Sequence, residues 1–161
     1  MNGPADRVSV TQRIAATAHQ IFLIVTDPAC HIEIDGSGML RSAGGPRRLE
    51  AAGDTFDIEM DRRPLTQLAH LARYYTIRNT VTRIIPDRLV EWAPALIGQA
   101  PSGRVYGWEI EPADDAACDV TNYCDWHAIS DEQRTRFRWP VVPAPMLERS
   151  VENLAQIATR R

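Results

Sequence analysis

The most constraining feature of this chain is a long run of two-residue periodicity that ends in a single amphipathic helix. From about residue 39 to 127, apolar residues alternate with polar ones. Phe56, Ile58 and Met60 alternate with Asp57, Glu59 and Asp61. Tyr75, Ile77, Asn79 and Val81 share one parity, as do Tyr106, Trp108 and Ile110, and Cys118, Val120, Asn122, Cys124 and Trp126. Such alternation marks half-buried antiparallel strands. "GMLRSAG" and "RLVEWAP" supply two more strands, with turns at the Gly-Gly-Pro of 44–46, at Pro86-Asp87 and at Asp114-Asp115. The chain then closes on "MLERSVENLAQIATR", where Leu147, Val151, Leu154 and Ala158 recur at helical spacing and Pro145 suits the helix start.

The first forty residues complete the pattern. "RVSVTQRIA" (7–15) reads as a strand. Thr17 with Gln20 spells a capping box, and Ala18, Ile21, Phe22 and Val25 form one face of a short helix. Asp27-Pro28 predicts a second, brief helix over about 28–35, with Gly36 as its left-handed exit. Two segments interrupt the strands: "RPLTQLAHLA" (63–72), a helical excursion, and the charged, Pro-rich connection over 129–145. The expected class is α+β: a curved antiparallel sheet of about seven strands around a long C-terminal helix, with two short helices after the first strand. A sheet bent around one helix seldom fills its own interior, so a pocket is expected between them.

Composition narrows the function. The 161 residues suit one domain over 1–161. Net charge is −3 and all 18 cationic residues are Arg, with no basic block of the kind nucleic-acid binding requires. Cys30, Cys118 and Cys124 contain no CxxC, which argues against a structural zinc site or a disulfide framework. The N-terminus lacks the apolar core of a signal peptide and no run reaches membrane-spanning length. A cytoplasmic protein, monomer or homodimer, with no cofactor and no metal, is expected.

Several phrases carry a family likeness: "IAATAHQIFLIVTDPACHIEIDGSG" near the start, "GDTFDIEM" (53–60), "IRNTVTRIIPDRLVEWAP" (77–94), "YGWEIEP" (106–112), "TNYCDWHAI" (121–129) and "WPVVPAPMLERSVENLAQIA" (139–158). Together they resemble the START-like helix-grip superfamily, also called SRPBCC, and most of all its actinobacterial polyketide cyclase/dehydrase-like group. His127 and the 63–72 excursion depart from that group's usual pattern. The resemblance implies a helix-grip domain that binds a small hydrophobic molecule, such as a lipid, polyketide or related metabolite. A cyclase or dehydratase is the alternative, and an interaction module with a filled pocket a third.

Candidate residues follow from parity. Phe56, Ile58, Met60, Tyr75, Ile77, Asn79, Val81, Tyr106, Trp108, Asn122 and Trp126 are expected to face the terminal helix, which offers Met146 and Ser150. All but Val81 form the candidate ligand-binding set. The aromatic and aliphatic members suit an apolar cavity wall, and most serve equally as plain core. Asn79 and Asn122 must bond each other, water or a ligand. Tyr106 is the candidate proton donor for an enzyme, with Asn122 beside it. Tyr123, Asp125 and His127 are weaker candidates, the last two on outward parity. The segment "DPACHIEIDGSGML" places His31 and Asp35 on one helical face beside Ser37, as a metal site or His–carboxylate pair would. It lacks the third and fourth ligand and the flanks of a nucleophile elbow, so it reads as a joint, with His31 at the pocket rim. The arginines of "RTRFRW" (134–139) read as solvated surface, or else as a site for an anionic head group.

Overall fold

Alternation over residues 55–125 becomes five consecutive strands, each hydrogen-bonded to the next. The computed structural model describes residues 6–44 and 48–160. The elements are β1 (Arg7–Ile14), α1 (Ala18–Val25), α2 (Pro28–Ile34), β2 (Leu40–Gly44), β3 (Thr55–Asp61), β4 (Tyr74–Ile85), β5 (Leu89–Leu96), β6 (Val105–Asp114), β7 (Ala117–Asp125), α3 (Asp131–Arg136) and α4 (Ala144–Arg160). All strands join one antiparallel sheet in the order β1-β7-β6-β5-β4-β3-β2. The first strand thus pairs with the last, and α1 and α2 are inserted between β1 and β2 at opposite edges. The turn expected at 44–46 falls largely on residues outside the described ones.

The local signals form as the sequence implies. Thr17 and Gln20 cap α1 reciprocally, and the Asp27 side chain accepts from the Ala29 amide at the start of α2, with Pro28 in its first turn. α4 buries Leu147, Val151, Leu154, Ile157 and Ala158 and packs on β1, β7, α1 and α2. Its apolar stripe meets Ile14, Ile110 and Val120 in the main core. Burial of such side chains stabilises by about 1.5–3 kcal/mol each, before conformational entropy is set against it.

Three expectations are corrected. Gly36 is not in the left-handed region; that conformation belongs to Gly38, at φ 75°. Gly36 is required by close approach instead. A Cβ there would lie 2.3 Å from the Met146 carbonyl oxygen and 2.4 Å from the Ser150 amide nitrogen, so glycine lets the end of α2 rest on the backbone of α4. The 129–145 connection contains a helix, α3, because Ser130 caps it by accepting from the Gln133 amide and Asp131 and Glu132 occupy its first turn. The 63–72 excursion folds only one 3-10 turn, Thr66–Leu68.

The outer face of the sheet, away from α4, carries a closed polar cluster. A register shift between Val81 and Arg83 on β4 sets both Thr82 and Arg83 against Glu91 of β5. Thr82 Oγ1 donates to Glu91 Oε1 at 2.8 Å and Arg83 Nη2 to Oε2 at 2.9 Å. Tyr123 Oη also donates to Oε2, at 2.5 Å. The Tyr123 ring, fully buried, lies across Gly107, where a Cβ would meet its hydroxyl at 2.5 Å. The Arg7 guanidinium covers the same ring at 3.9 Å.

Candidate functional site

Between the inner face of the sheet and α4 lies a half-enclosed, mostly apolar cavity of about 170 Å³. Space of that order encloses at least one aromatic ring, as an engineered cavity of about 150 Å³ takes up benzene, and because the hollow is only half-enclosed a larger ring system can extend into its mouth. Of the twelve ligand-binding candidates, eleven line it: Phe56, Ile58, Met60, Tyr75, Ile77, Asn79, Tyr106, Trp108, Asn122, Met146 and Ser150. Val81 is packed in the core behind the wall.

Trp126 does not reach the cavity. It lies just past the end of β7, where strand parity no longer governs direction. It packs on Cys124 and Ile129 and stacks on Trp139 with ring centroids 5.8 Å apart. His127 and Asp125 pair with each other at 2.5 Å, with His127 exposed. Tyr123 belongs to the outer face. The 134–139 arginines stay off the cavity too. Arg134 bonds Asp6 and the carbonyls of Trp126 and His127, and Arg136 and Arg138 are exposed.

Sequence reasoning missed part of the wall. β5 supplies Trp92 and Pro94. This strand is buried on both faces over much of its length, so it shows no clean alternation to read. Pro94 is tolerated because the β5–β6 ladder ends at Trp92–Tyr106 and no bond is lost from it. Leu65, Leu68, Val141 and Val142 close one end of the cavity together with Tyr75, with Trp139 packed against this cluster. They come from segments without periodicity, and only the three-dimensional fold brings them together. Arg104, just before β6, also lines the cavity. A single loop arginine gives no signal in sequence.

The polar groups of the wall differ in what they have left to offer. His31 is buried, stacked on Trp92 and edge-on to Phe56, with centroids 5.1 Å from each. Its Nε2 lies 2.8 Å from the Val25 carbonyl, which can only accept. Nε2 therefore carries the proton and Nδ1 the lone pair. Burial holds this imidazole below its ordinary pKa, outweighing the Val25 hydrogen bond and the Asp27 charge. Asp35 and His31 form no pair: Asp35 accepts from the Ser37 amide and hydroxyl and the Leu40 amide. Asn122 donates to the Gly107 carbonyl at 3.0 Å rather than to Asn79. Ser150 accepts from the Gly36 amide at 2.8 Å and donates to Met146. Burial pushes the Tyr106 phenol far above its usual value, and the hydroxyl neighbours the Cys124 thiol, itself raised to about 11. Asn79 is buried and makes no side-chain hydrogen bond among the described residues. Among those residues, no group of three His, Cys, Asp or Glu side chains converges as metal ligands would, and no helix is long and apolar enough to cross a membrane.

Comparison with known proteins adds a fold and little else. No family model matches the sequence. The chain is 35% identical over 127 residues to the uncharacterized protein Rv0088 of Mycobacterium tuberculosis, covering 78% of this chain and 50% of that protein. The chain thus spans about half the length of the curated relatives it matches. Truncated norcoclaurine synthase from Thalictrum flavum superposes with a TM-score of 0.65 at 12% identity, over 100% of this chain and 99% of that one. The same enzyme in complex with dopamine and hydroxybenzaldehyde gives 0.64 at 12%, over 96% and 87%. The Zhui aromatase/cyclase from Streptomyces sp. R1128 gives 0.62 at 14%, over 96% and 95%. At these identities the likeness is one of architecture.

Proposed function

Because the chain has the helix-grip fold of the START-like (SRPBCC) superfamily, we propose that it binds a small hydrophobic molecule between the sheet and α4, as a unit of the reducing cytoplasm. The observation that carries this reading is the unfilled hollow of about 170 Å³ walled by Phe56, Trp92, Tyr106 and Trp108. A domain of this size with a full set of core residues has no packing reason to leave such a void, since empty apolar space forfeits dispersion contacts on every side. A ligand burying about 200 Å² of apolar surface gains about 5 kcal/mol, before the cost of lost translational freedom. Burial alone therefore gives weak binding, and polar wall groups must add to it.

Titration with the neutral fluorophore 1-aminoanthracene tests this. Saturable enhancement is expected, and it is expected to vanish in Ile77→Trp, which places an indole in the hollow. Native mass spectrometry after mild purification looks for a small molecule that travels with the chain. No saturable signal in the parent protein and no retained molecule would overturn the reading.

An enzymatic reading draws on one further observation: the neutral His31 imidazole and the Tyr106 phenol line the same cavity. In this reading His31 Nδ1 takes the proton in enolisation, and the Tyr106 phenol, too weak an acid when buried to give up its proton, donates a hydrogen bond to the enolate oxygen. Under this reading Tyr106→Phe abolishes turnover of a poly-β-keto substrate while leaving its binding intact.

A further inference from the structure

We propose that the molecule held in the cavity is a carboxylic acid and that Arg104 is the counter-charge for its carboxylate. This rests on the reading of the hollow as a ligand site and narrows the class of ligand it takes.

The inference starts from how the chain pairs its charges. Arg7, Arg13, Arg73, Arg78, Arg83 and Arg134 each meet an acid, respectively Glu109, Asp119, Asp61, Asp57, Glu91 and Asp6. Arg104 does not. It lines the cavity, half-buried, and makes no ion pair and no side-chain hydrogen bond among the described residues. Its Nε is buried with no hydrogen-bond partner. A guanidinium drawn out of water needs compensation. Here only aromatic faces supply it, with the Arg104 Cζ 5.8 Å from the Tyr106 ring centroid and 6.0 Å from that of Trp139.

Nothing else in the wall can neutralise this cation. Asp35 lines the cavity, but both its oxygens are committed to the amides of Ser37 and Leu40 and the Ser37 hydroxyl. A second cation stands nearby: Arg62 lies over the Tyr75 ring at 3.7 Å. Burial raises the Tyr75 phenol's pKa, Arg62 and Arg104 pull it down and Asp61 pushes it up, so two cations and one acid, itself paired with Arg73, surround this cavity residue. Asp61 is engaged by Arg73 and the Arg63 amide, so the cations stay in excess at this end of the hollow. The planar fork of a guanidinium matches the two oxygens of a carboxylate. The Tyr75 hydroxyl and the Asn79 amide, neither hydrogen-bonded among the described residues, offer further donors. A ligand with an apolar body and one carboxylate would satisfy both the greasy wall and the unpaired charge.

A matched pair of probes tests the assignment: 2-naphthoate, an anion at pH 7.5, and the neutral, similarly shaped 2-naphthamide, each titrated by calorimetry. In the parent protein the acid is expected to bind about tenfold or more tightly, the ratio a single charge-assisted hydrogen bond supports. Arg104→Gln removes the preference, lowering the acid's affinity much more than the amide's; Arg104→Lys, which keeps the charge without the fork, restores part of it. Arg104 holds no described polar partner, so both variants are expected to melt cooperatively. Equal affinities in the parent, or a preference that survives Arg104→Gln, overturns the role of Arg104 and leaves the cavity reading standing. Should neither naphthalene bind while 1-aminoanthracene does, the assignment falls in the same way. If 1-aminoanthracene fails as well, the cavity reading falls and takes this inference with it.

Discussion

The two faces of this sheet use similar side chains to opposite ends. On the outer face, one carboxylate, Glu91, collects Thr82, Arg83 and Tyr123, and Arg7 covers the phenol. The charges of that cluster have their complements within the chain. On the inner face, Arg104 and Asn79 border the hollow and make no side-chain hydrogen bond among the described residues. A buried polar group left unmatched costs about 1–3 kcal/mol. The fold closes such a cluster on one side of the sheet and leaves one open on the other, among the described residues, where the ligand site is proposed.

The largest effect should come from the joint that holds the inner face together. Gly36→Ala forces a methyl group against backbone atoms of α4 at 2.3 and 2.4 Å, and backbone cannot yield as a flexible side chain would. Overpacking of this kind costs about 3 kcal/mol. Urea denaturation is expected to show that loss, with 1-aminoanthracene binding weakened in the molecules that still fold. Intact binding in a destabilised variant would mean that the α2–α4 contact does not shape the cavity.

Acid titration separates the two faces by pH. His31 is neutral in the folded protein because burial lowers its pKa, whereas the unfolded chain takes up a proton near pH 6.5. Below that value the unfolded state binds more protons, so stability falls as pH drops through 6.5, with a slope of at most about 1.4 kcal/mol per pH unit. His31→Gln should remove this slope. Glu91 acts lower on the scale. Burial raises its pKa, but hydrogen bonds from Arg83, Tyr123 and Thr82 outweigh burial and leave it below the usual 4.5. Its contribution is present above that pH and lost as pH falls through the folded value. A parent profile flat from pH 7 to 5 would show that His31 is not held neutral.

Tyr123→Phe comes next. It removes one hydrogen bond to a carboxylate that keeps two other partners, at a cost of about 1.5 kcal/mol. Tyr123 lies on the far face from the cavity, so 1-aminoanthracene affinity should not change. A change would mean that the sheet transmits strain between its faces.

How much of this was legible beforehand follows the same division. Strand parity is a local property, and it gave the fold and most of the wall, because inward residues such as Phe56, Asn79 and Trp108 need only the two-residue period to be placed. It failed where the period stops. Trp126 sits one residue beyond β7 and turns to Trp139 instead. Trp92 was hidden because β5 is apolar on both faces. Gly36 was legible as a glycine but not for its reason, since close approach to α4 depends on a helix more than a hundred positions away. The arginine cluster at 134–139 drew attention by density, while the cavity received the isolated Arg104. What counts at that position is that no acid among the described residues pairs with Arg104, and no sequence pattern encodes that.

The smallest effect is the most discriminating, because its sign differs between the faces. Arg83→Gln breaks a pair with a largely buried carboxylate and is expected to destabilise by about 1 kcal/mol, discounted because the Arg83 side chain is itself exposed. Arg104→Gln gives up two distant aromatic contacts of about 0.5 kcal/mol each and relieves a buried Nε that has no partner. The two terms nearly cancel, so stability should be unchanged or slightly raised, read as the difference in urea midpoint between the paired variants. A residue placed to stabilise the fold loses stability when removed; one kept for a ligand does not, since its complement arrives only with the ligand. If Arg104→Gln destabilises as much as Arg83→Gln, Arg104 is a structural group and the two faces of the sheet are built alike.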